Sequence, residues 1–442
     1  MLFLAGCMML GGVLHPILDP SFQAELNSST KSVLSVSDTT KLLVDGRESY
    51  PERWRMLEGA EKTIYFSTMY IYNDPTTKRL GDLLIRKKAA GVDVRMIVYG
   101  PYSLGNKPFY MKMRRHGIAV QMYGTVSEVL FWNPLRFWRR HLHDKYLVVD
   151  GKEAIVGGMN WSARYERGGV DATKPAWRDT DILVTGPQAE IVHLEFLKRW
   201  YRDEDEKAYG AASAALEAAY AKLMYPAGAS YGDYVEECDG AVGGCVVSKL
   251  SRFLYQQPFE DNGETRLTTF YKELIDRAES HIYWQSISIR PAPIQKEALF
   301  RAASRGVDVR LMTNSERNMT MIPIGGLPVY ILTRADYREL LEQGVRIFEY
   351  SGDAPMHAKG FVVDGVVAVI GSYNATFTAE KFYTEAAVAT YDREAIADVY
   401  RMFEGDFAHC REVTLADLEK SWQRLRHLSR WGVDKEMPEE LK

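Results

Sequence analysis

The 442-residue chain lacks several features that would place it in a simple functional class. No internal stretch is long enough and apolar enough to span a bilayer, which excludes an internal transmembrane helix. The net charge of −4 gives no support for a general nucleic-acid binder, although a local basic channel could coexist with it. No carboxylate cluster suits a Mg²⁺ site, so neither a metal nor another cofactor is expected.

Cysteine is also scarce, with four residues in the whole chain. Cys238 and Cys245 flank a glycine-rich turn and could close a short disulfide loop in an oxidising compartment. A zinc site is not favoured there, because no nearby His or Cys completes a ligand set. Cys410 is expected to be a buried single thiol.

The N-terminus is strongly apolar. Residues 1–18 are almost uncharged and contain Leu-Ala-Gly-Cys at positions 4–7, which resembles a bacterial lipobox. This pattern predicts an export signal and a lipid anchor at Cys7, in a membrane-associated lipoprotein of the bacterial cell envelope that faces the periplasm. No Lys or Arg precedes the short apolar run, and an ordinary hydrophobic terminus is the alternative.

The chain does contain one short motif twice: His-x-Lys, then Asp five residues after the Lys, then Gly-Gly-x-Asn or Gly-Ser-x-Asn. In each copy the Asn follows the His by 17 positions. Two copies that agree at five chemically important positions indicate a duplicated functional unit. The residues are His143, Lys145, Asp150 and Asn160 in the first copy, and His357, Lys359, Asp364 and Asn374 in the second.

The copies belong to larger repeats, which decide the architecture. Gly-Val-Asp-Val-Arg occurs at 91–95 and again at 306–310, and each half alternates strands rich in β-branched residues with periodic helices. We therefore predict an α/β fold with two tandem domains related by pseudo-two-fold symmetry and a site at their interface. The predicted parts are an anchor segment at 1–24, domains at 40–210 and 249–412, a helical linker with the Cys loop at 211–248, and a C-terminal helix in 413–442.

His and Lys at i and i+2 of a strand point to the same face, so each half presents an imidazole and an ammonium together. Two such sets suit a phosphodiester, because lysines and asparagines can hold its non-bridging oxygens. One histidine can attack phosphorus while the other protonates the leaving oxygen, which gives a covalent phosphohistidine.

A nucleophilic imidazole needs an acceptor at its other ring nitrogen. The candidates are Asp179, preferred over Asp181, after the first motif, and Glu385 after the second. Asp150 and Asp364 precede glycines at strand ends, and we expect them to fix turns.

These motifs resemble those of the phospholipase D superfamily, and the match covers residues 42–407. The surrounding segments are most similar to bacterial cardiolipin synthases. The resemblance implies two α/β/α sandwich domains, a covalent histidine intermediate, His143 as nucleophile and His357 as acid.

The segment 129–140, directly before His143, favours a lipid substrate. If exposed, its aromatic rings would seat in a headgroup layer and its arginines would meet phosphate. A loop buried against the core, or one that stacks single-stranded bases, is the alternative. A second apolar loop, 319–329, precedes the second motif. The proposed membrane contacts in the first loop are Phe131, Trp132, Phe137, Trp138, Arg139 and Arg140.

We predict a phosphatidyltransferase that acts on a phospholipid at a membrane surface. The close alternative is a phospholipase D that uses water and releases phosphatidic acid. An exported phosphodiesterase or nuclease is the more distant alternative, and nucleic acid is not the expected partner. Intact motifs in both halves argue against a non-catalytic lipid-binding scaffold. The oligomeric state is left open.

Overall fold

A computed structural model of the chain describes residues 9–10, 13–124, 141–168, 172–202, 204–223, 235–236, 246–247, 249–259, 261–322 and 326–419. It contains two large mixed β-sheets, one in each half, with helices on their faces. The predicted α/β class with a duplicated domain is confirmed. Within the described ranges, no helix combines the length and the apolar character needed to cross a membrane.

The first sheet has seven strands. Three neighbouring strands at one end run parallel, and the remaining neighbours pair antiparallel. The strand Tyr146–Val149 runs antiparallel to Thr63–Thr68. The first residues of Tyr146–Val149 therefore lie at the same end of the sheet as the last residues of Thr63–Thr68. In spatial order the strands are Thr40–Val44, Thr180–Thr185, Glu153–Gly157, Tyr146–Val149, Thr63–Thr68, Asp93–Tyr99 and Ala119–Tyr123.

The second sheet repeats this order strand for strand. It has one further strand at each edge, and the two-residue strand His141–Leu142 pairs with its strand Tyr383–Thr390. The repeat in sequence is thus a repeat in topology. In spatial order the strands are Cys410–Val413, Arg346–Tyr350, Asp308–Asn314, His281–Gln285, Gly360–Val363, Val367–Gly371, Tyr383–Thr390, Leu250–Gln256 and Ser35–Val36.

In each half, the glycine of the repeated Gly-Val-Asp-Val-Arg sequence follows the end of a helix that connects two parallel strands. In Pro75–Ala89, Asp74 and Thr77 form a capping box at the start, and Gly91 with φ of 92° follows the end. In the second half Gly306, with φ of 88°, follows Pro293–Ser304 in the same way. Each glycine then leads directly into a parallel strand.

The described residues form three apolar cores, and the middle core contains residues of both halves. It contains residues of both sheets, such as Val148 and Val362, together with Phe196 and Phe403 from the helices Pro187–Tyr201 and Arg393–Phe407. The outer cores lie beneath the remaining helices of each half. The shared core therefore fixes the two halves against each other.

The N-terminal residues join the second half. Ile17, Leu18, Phe22 and Leu26 lie in its outer core, and Ser35–Val36 extends its sheet. Residues 16–24 of the predicted anchor segment thus take part in folded structure, and the helix Glu206–Leu223 crosses the predicted boundary at 210.

Several predictions fall partly or wholly outside the described residues. Cys238, Cys245 and residues 420–442 of the C-terminal segment lie there. Leu418, just before the end of the described chain, packs in the outer core of the second half. The Cys410 thiol is half-buried, and burial raises its pKa to about 12.

Candidate active site

The two motifs meet where the halves join, and each is tied by its backbone to the other half. The His143 N–H donates to the carbonyl of Thr384 at 3.2 Å. The His357 N–H donates to the carbonyl of Arg178 at 2.6 Å. Each histidine lies three residues before a strand, Tyr146–Val149 or Gly360–Val363, and these two strands start at the equivalent end of their sheets. The pairing of edge segments therefore brings the motifs into one site.

The histidines are held by carboxylates in a crossed arrangement. Nδ1 of His143 lies 2.9 and 3.0 Å from the two carboxylate oxygens of Glu385. Nδ1 of His357 lies 2.7 Å from Oδ2 of Asp179. Each carboxylate follows one motif in sequence but holds the histidine of the other motif in space. With Nδ1 engaged, Nε2 is the ring nitrogen left for chemistry in both residues.

Asp179 and its neighbour Asp181 have different hydrogen-bond partners. Oδ2 of Asp181 accepts from Arg53 at 2.8 Å and from Ser49, and Oδ1 accepts from the backbone of Met159 at 3.3 Å. Asp181 thus binds groups of its own half, whereas Asp179 reaches a histidine of the other half.

Both motif lysines are buried in the same cluster. Lys145 donates to the carbonyl of His143 and Lys359 to the carbonyl of His357, and Nζ of Lys359 lies 3.0 Å from Nδ1 of His357. Burial lowers the pKa of Lys145 to about 8, against the opposing effect of nearby Glu385. Burial, together with the charge of Lys145, lowers the pKa of Lys359 to about 7. A bound anion would restore full charge to both ammoniums.

Burial disfavours the charged form of both imidazoles. Burial and the nearby lysines lower the pKa of His143 well below its usual value, and burial with Lys359 lowers that of His357 to about 4. Neutral rings keep a lone pair free for attack, and only a group that brings negative charge would favour protonation.

The two carboxylates differ from each other. Burial raises the pKa of Glu385 well above the usual value. Burial alone would also raise the pKa of Asp179, but His357, Lys359 and the backbone N–H of Thr180 outweigh it and lower the pKa. The fold therefore favours the ionised form of Asp179 beside His357, whereas burial disfavours the ionised form of Glu385 beside His143.

The second residue of each Gly-Gly or Gly-Ser pair is matched to the carboxylate beside it. A Cβ atom on Gly158 would lie 2.1 Å from Oδ1 of Asp179, so only glycine leaves room for that carboxylate. At the equivalent position the hydroxyl of Ser372 donates to Glu385. Glycine thus leaves space for Asp179 in one half, and serine supplies a hydrogen bond to Glu385 in the other.

The motif asparagines line the same edge. Oδ1 of Asn160 accepts from the backbone N–H of Tyr70 at 3.0 Å, and Oδ1 of Asn374 lies 3.3 Å from the hydroxyl of Ser286. These contacts hold each side chain through its oxygen, and Nδ2 of Asn160 also donates to the hydroxyl of Tyr165 at 3.3 Å. We expect the amide NH₂ groups to serve as the donors to a substrate.

Asp150 and Asp364 lie at the far ends of the motif strands. Asp150 accepts three backbone N–H groups of residues 61–63 at 2.7 to 2.9 Å, and Asp364 does the same for residues 279–281. Both adopt positive φ values, of 54° and 53°. Asp364 also accepts from Nε2 of His15 at 3.0 Å. These contacts hold the backbone and lie away from the reacting groups.

Sequence reasoning missed a buried network between the motifs. Asp144, which separates His143 from Lys145, accepts from Arg199 at 2.9 Å on both oxygens and from the hydroxyl of Thr384. The sequence did offer a signal for this network, because Asp144 is a charged residue close to the start of an apolar strand. No sequence signal connects Arg178 of the first half to Asp406 of the second, yet they form a buried bidentate ion pair at 2.8 Å.

The membrane-loop residues Phe131, Trp132, Phe137, Trp138, Arg139 and Arg140, and the lipobox residue Cys7, lie outside the described residues. Where the structure describes the chain, no group of three or more His, Cys, Asp or Glu is arranged to hold a metal ion.

Comparison with known proteins gives one consistent family. The sequence model described as "Cardiolipin synthase, PLD-like domain" matches residues 54–172 and 271–407, which together are more than half of the chain. Cardiolipin synthase of Geobacillus kaustophilus is 27% identical over 393 residues, which cover 88% of this chain and 70% of that protein. Cardiolipin synthase A of Pseudomonas aeruginosa is 26% identical over 401 residues, covering 90% and 73%.

A solved structure shares the fold. The crystal structure of phosphatidylserine synthase from Haemophilus influenzae superposes with a TM-score of 0.64 at 13% identity, covering 92% of this chain and 98% of that one. The two-domain arrangement described above is thus found in an experimental structure.

Proposed function

The chain belongs to the cardiolipin synthase family with phospholipase D-like domains, and from that premise we propose that it is a phosphatidyltransferase. It transfers a phosphatidyl group from one phospholipid to the alcohol of another lipid or of glycerol. The observation that carries the proposal is the crossed pair of His–carboxylate contacts around two buried lysines.

The lysines and asparagines bind the phosphodiester. Lys145 and Lys359 supply two ammonium groups inside a buried site, where each is worth more than in water. The amide groups of Asn160 and Asn374 donate to the non-bridging oxygens. Charge that develops on these oxygens during the reaction is thereby stabilised without rearrangement of solvent.

His143 is the nucleophile in this proposal. Its pairing with Glu385 leaves an uncharged ring whose Nε2 lone pair attacks phosphorus. His357 is the general acid, since the ionised Asp179 beside it stabilises an imidazolium once the anionic substrate is bound. The P–Nε2 bond forms, the bond to the headgroup oxygen breaks, and the proton of His357 passes to that oxygen.

The second half-reaction reverses these roles. Neutral His357 accepts the proton of an incoming alcohol, whose oxygen attacks phosphorus as the P–Nε2 bond breaks. Free His143 is regenerated, and the phosphatidyl group leaves on the new alcohol. With water in place of the alcohol, the product is phosphatidic acid.

The test is a product analysis. Purified protein is incubated with phosphatidylglycerol in detergent micelles, and the lipids are separated and identified by mass spectrometry. We expect cardiolipin and free glycerol. If phosphatidic acid is the sole product, the protein hydrolyses the phospholipid and does not transfer the phosphatidyl group to an alcohol. Degradation of single-stranded DNA that is lost in His143→Ala, without any lipid product, would move the assignment to a nuclease.

Contact with a membrane surface is part of the proposal. The apolar segment 319–329, predicted as a loop, ends in the helix Gly326–Ala335. This helix exposes Leu327, Ile331 (61% exposed) and Leu332 (52% exposed). It follows the strand Asp308–Asn314, at the sheet edge that carries the site. Apolar side chains near the mouth of a lipid site favour contact with the bilayer.

This contact is tested with Ile331→Glu and vesicles of phosphatidylglycerol. The variant should bind vesicles more weakly and lose activity on them, while activity on a short-chain, monomeric phospholipid is kept. Leu415→Glu is the matched control, because this exposed leucine lies beyond the far edge of the second sheet. Equal vesicle binding by both variants would remove the helix from the proposal.

Location in the bacterial envelope through a lipid at Cys7 remains a proposal that rests on the sequence pattern. Its test is fractionation of cells that produce the Cys7→Ser protein. Release from the membrane fraction supports the anchor, and unchanged partitioning contradicts it.

A further inference from the structure

Asp144 lies between His143 and Lys145 of the first motif and takes no part in the chemistry described above. Its side chain is buried. The equivalent position in the second motif is Ala358, which packs in the middle core that contains residues of both halves. A buried carboxylate needs partners that offset the loss of water, whereas an alanine does not. The acidic residue is therefore an addition to one copy of the motif, and its partners indicate its role.

The partners of Asp144 come from both halves of the protein. Nη1 of Arg199 lies 2.9 Å from each of its carboxylate oxygens. Arg199 is buried near the end of the helix Pro187–Tyr201, in the first half. The hydroxyl of Thr384, in the strand Tyr383–Thr390 of the second half, donates to the same carboxylate. An ion pair of one half thus orients a hydroxyl of the other.

Thr384 contacts the backbone of His143 in two ways. The His143 N–H donates to its carbonyl oxygen at 3.2 Å and to its hydroxyl oxygen at 3.1 Å. A threonine hydroxyl has one proton and two lone pairs. Because the proton is donated to Asp144, a lone pair is left to accept from the His143 N–H. The next residue of the strand, Glu385, contacts Nδ1 of the same histidine. Two neighbouring residues thus hold the backbone and the ring of His143.

The histidine of the second motif is held in the same way by different residues. The carbonyl of Arg178, directly before Asp179, accepts from the N–H of His357. The guanidinium of Arg178 is paired with Asp406, in the helix Arg393–Phe407. In both halves a buried ion pair that includes a helix residue therefore secures the residue before the orienting carboxylate. The halves reach this arrangement with unrelated side chains, which points to a shared role in positioning.

We propose that Asp144, Arg199 and Thr384 form a positioning network that sets the direction of the His143 ring for attack on phosphorus. The inference rests on the proposed function, in which His143 is the nucleophile, and adds positioning residues for its first step. In that step Nε2 bonds to phosphorus while the bond to the leaving oxygen breaks, and the electron pair of that bond stays with the oxygen. The network acts through the backbone of His143 and exchanges no proton. Its loss should slow the attack and leave substrate binding unchanged.

The experiment measures the first step alone. Protein in excess is mixed with phosphatidyl-p-nitrophenol in detergent micelles, and the release of p-nitrophenolate in a single turnover is followed by stopped flow. The phenolate leaves without a proton, so the rate constant reports the attack by His143. Thr384→Val keeps the shape of the side chain but removes the hydroxyl, and we expect the maximal rate constant to fall roughly 10- to 100-fold, the effect of a small misplacement of a nucleophile. The protein concentration that gives half of the maximal rate should stay unchanged. Thr384→Ser keeps the hydroxyl and should react like the native protein.

A second variant removes the ion pair without leaving a buried charge. The double substitution Asp144→Ala with Arg199→Met copies the alanine of the second motif, and apolar replacement of both members of a buried ion pair is often tolerated. It should slow the single turnover by a factor similar to that of Thr384→Val. When all three substitutions are combined, the losses should not multiply, because the residues act as one unit. Losses that multiply would contradict the network.

Thr390→Val is the matched control. Thr390 is buried at the other end of the same strand, where its hydroxyl accepts from the backbone N–H of Asp392. This variant should react like the native protein. An equal loss in the two valine variants would show a general effect on the strand, and a native rate constant in Thr384→Val would remove the network; either overturns the inference. A loss seen with phosphatidylglycerol but not with phosphatidyl-p-nitrophenol would place the effect on the general acid and also overturn it. A native protein that forms no adduct on His143 would overturn the proposed function itself.

Discussion

Replacing Glu385 by Gln tests the crossed carboxylates with the least change in shape. In the native protein both carboxylate oxygens contact Nδ1 of His143, at 2.9 and 3.0 Å, and the hydroxyl of Ser372 donates to the same group. Gln keeps the volume of the side chain but carries an NH₂ group in place of one oxygen. If that group faces His143, the ring holds its proton on Nε2 and cannot attack phosphorus.

The expected loss of activity is large. An amide in place of the carboxylate that orients a catalytic histidine costs about 10²- to 10⁴-fold in kcat. Stability should change little, because burial raises the pKa of Glu385 well above its usual value and the fold does not favour the ionised form. We therefore expect an inactive protein whose free energy of unfolding stays within about 1 kcal/mol of the native value.

Asp179→Asn is the matched variant and should behave differently. The pKa of Asp179 is lowered in the folded protein, so ionised Asp179 contributes stability that is present at neutral pH and lost as the pH falls through the folded pKa. The Asn variant should lose this contribution. Urea unfolding at pH 7 measures the difference between the two variants.

A substrate with a good leaving group separates the two histidines. In phosphatidyl-p-nitrophenol the leaving phenolate needs no proton, so the general acid is dispensable. Stopped-flow release of p-nitrophenolate should show a rapid burst in Asp179→Asn, whose nucleophile is intact, and none in Glu385→Gln. A burst in Glu385→Gln that is absent from Asp179→Asn would reverse the roles. Native-like turnover of phosphatidylglycerol by Glu385→Gln would refute the reasoning altogether.

Three further predictions follow from the same contacts. Gly158→Ser places a Cβ atom 2.1 Å from the carboxylate that holds His357, so phosphatidylglycerol turnover should fall at least about 100-fold, as it does when a histidine loses its orienting group. Arg178→Met leaves the buried Asp406 without its ion-pair partner, with the amide of Gln285 still donating to it. The free energy of unfolding in urea should fall by about 3–5 kcal/mol, and a fall below about 1 kcal/mol would contradict this. As the pH rises through 7 to 8, Lys359 and Lys145 lose the protons that attract phosphate. A profile of kcat/KM should therefore decline on the alkaline side, and a flat profile up to pH 9 would contradict this assignment.

The duplicated motif was sufficient to predict the architecture. Strand-forming runs and the repeated Gly-Val-Asp-Val-Arg phrase specify local elements, and their recurrence fixes the same topology in both halves. The histidines, lysines and asparagines could also be identified from the sequence, because residue type and spacing are the same in both motifs.

The partners of those residues could not be predicted with the same certainty. Whether Glu385 contacts His357 of its own half or His143 of the other depends on how the sheets pack, and no local pattern encodes that packing. The N-terminal helix Pro20–Thr30 shows the same limit, since it precedes the first half but packs against the second.

Mapping the covalent intermediate tests the central claim most directly. His357→Asn keeps an amide donor for Asp179 but removes the group that activates water or alcohol. Incubation with phosphatidyl-p-nitrophenol, an alkaline quench and peptide mass spectrometry should then locate one phosphatidyl adduct, on His143. An adduct on another residue, or one that still forms when His143 is also replaced by Ala, would contradict the account.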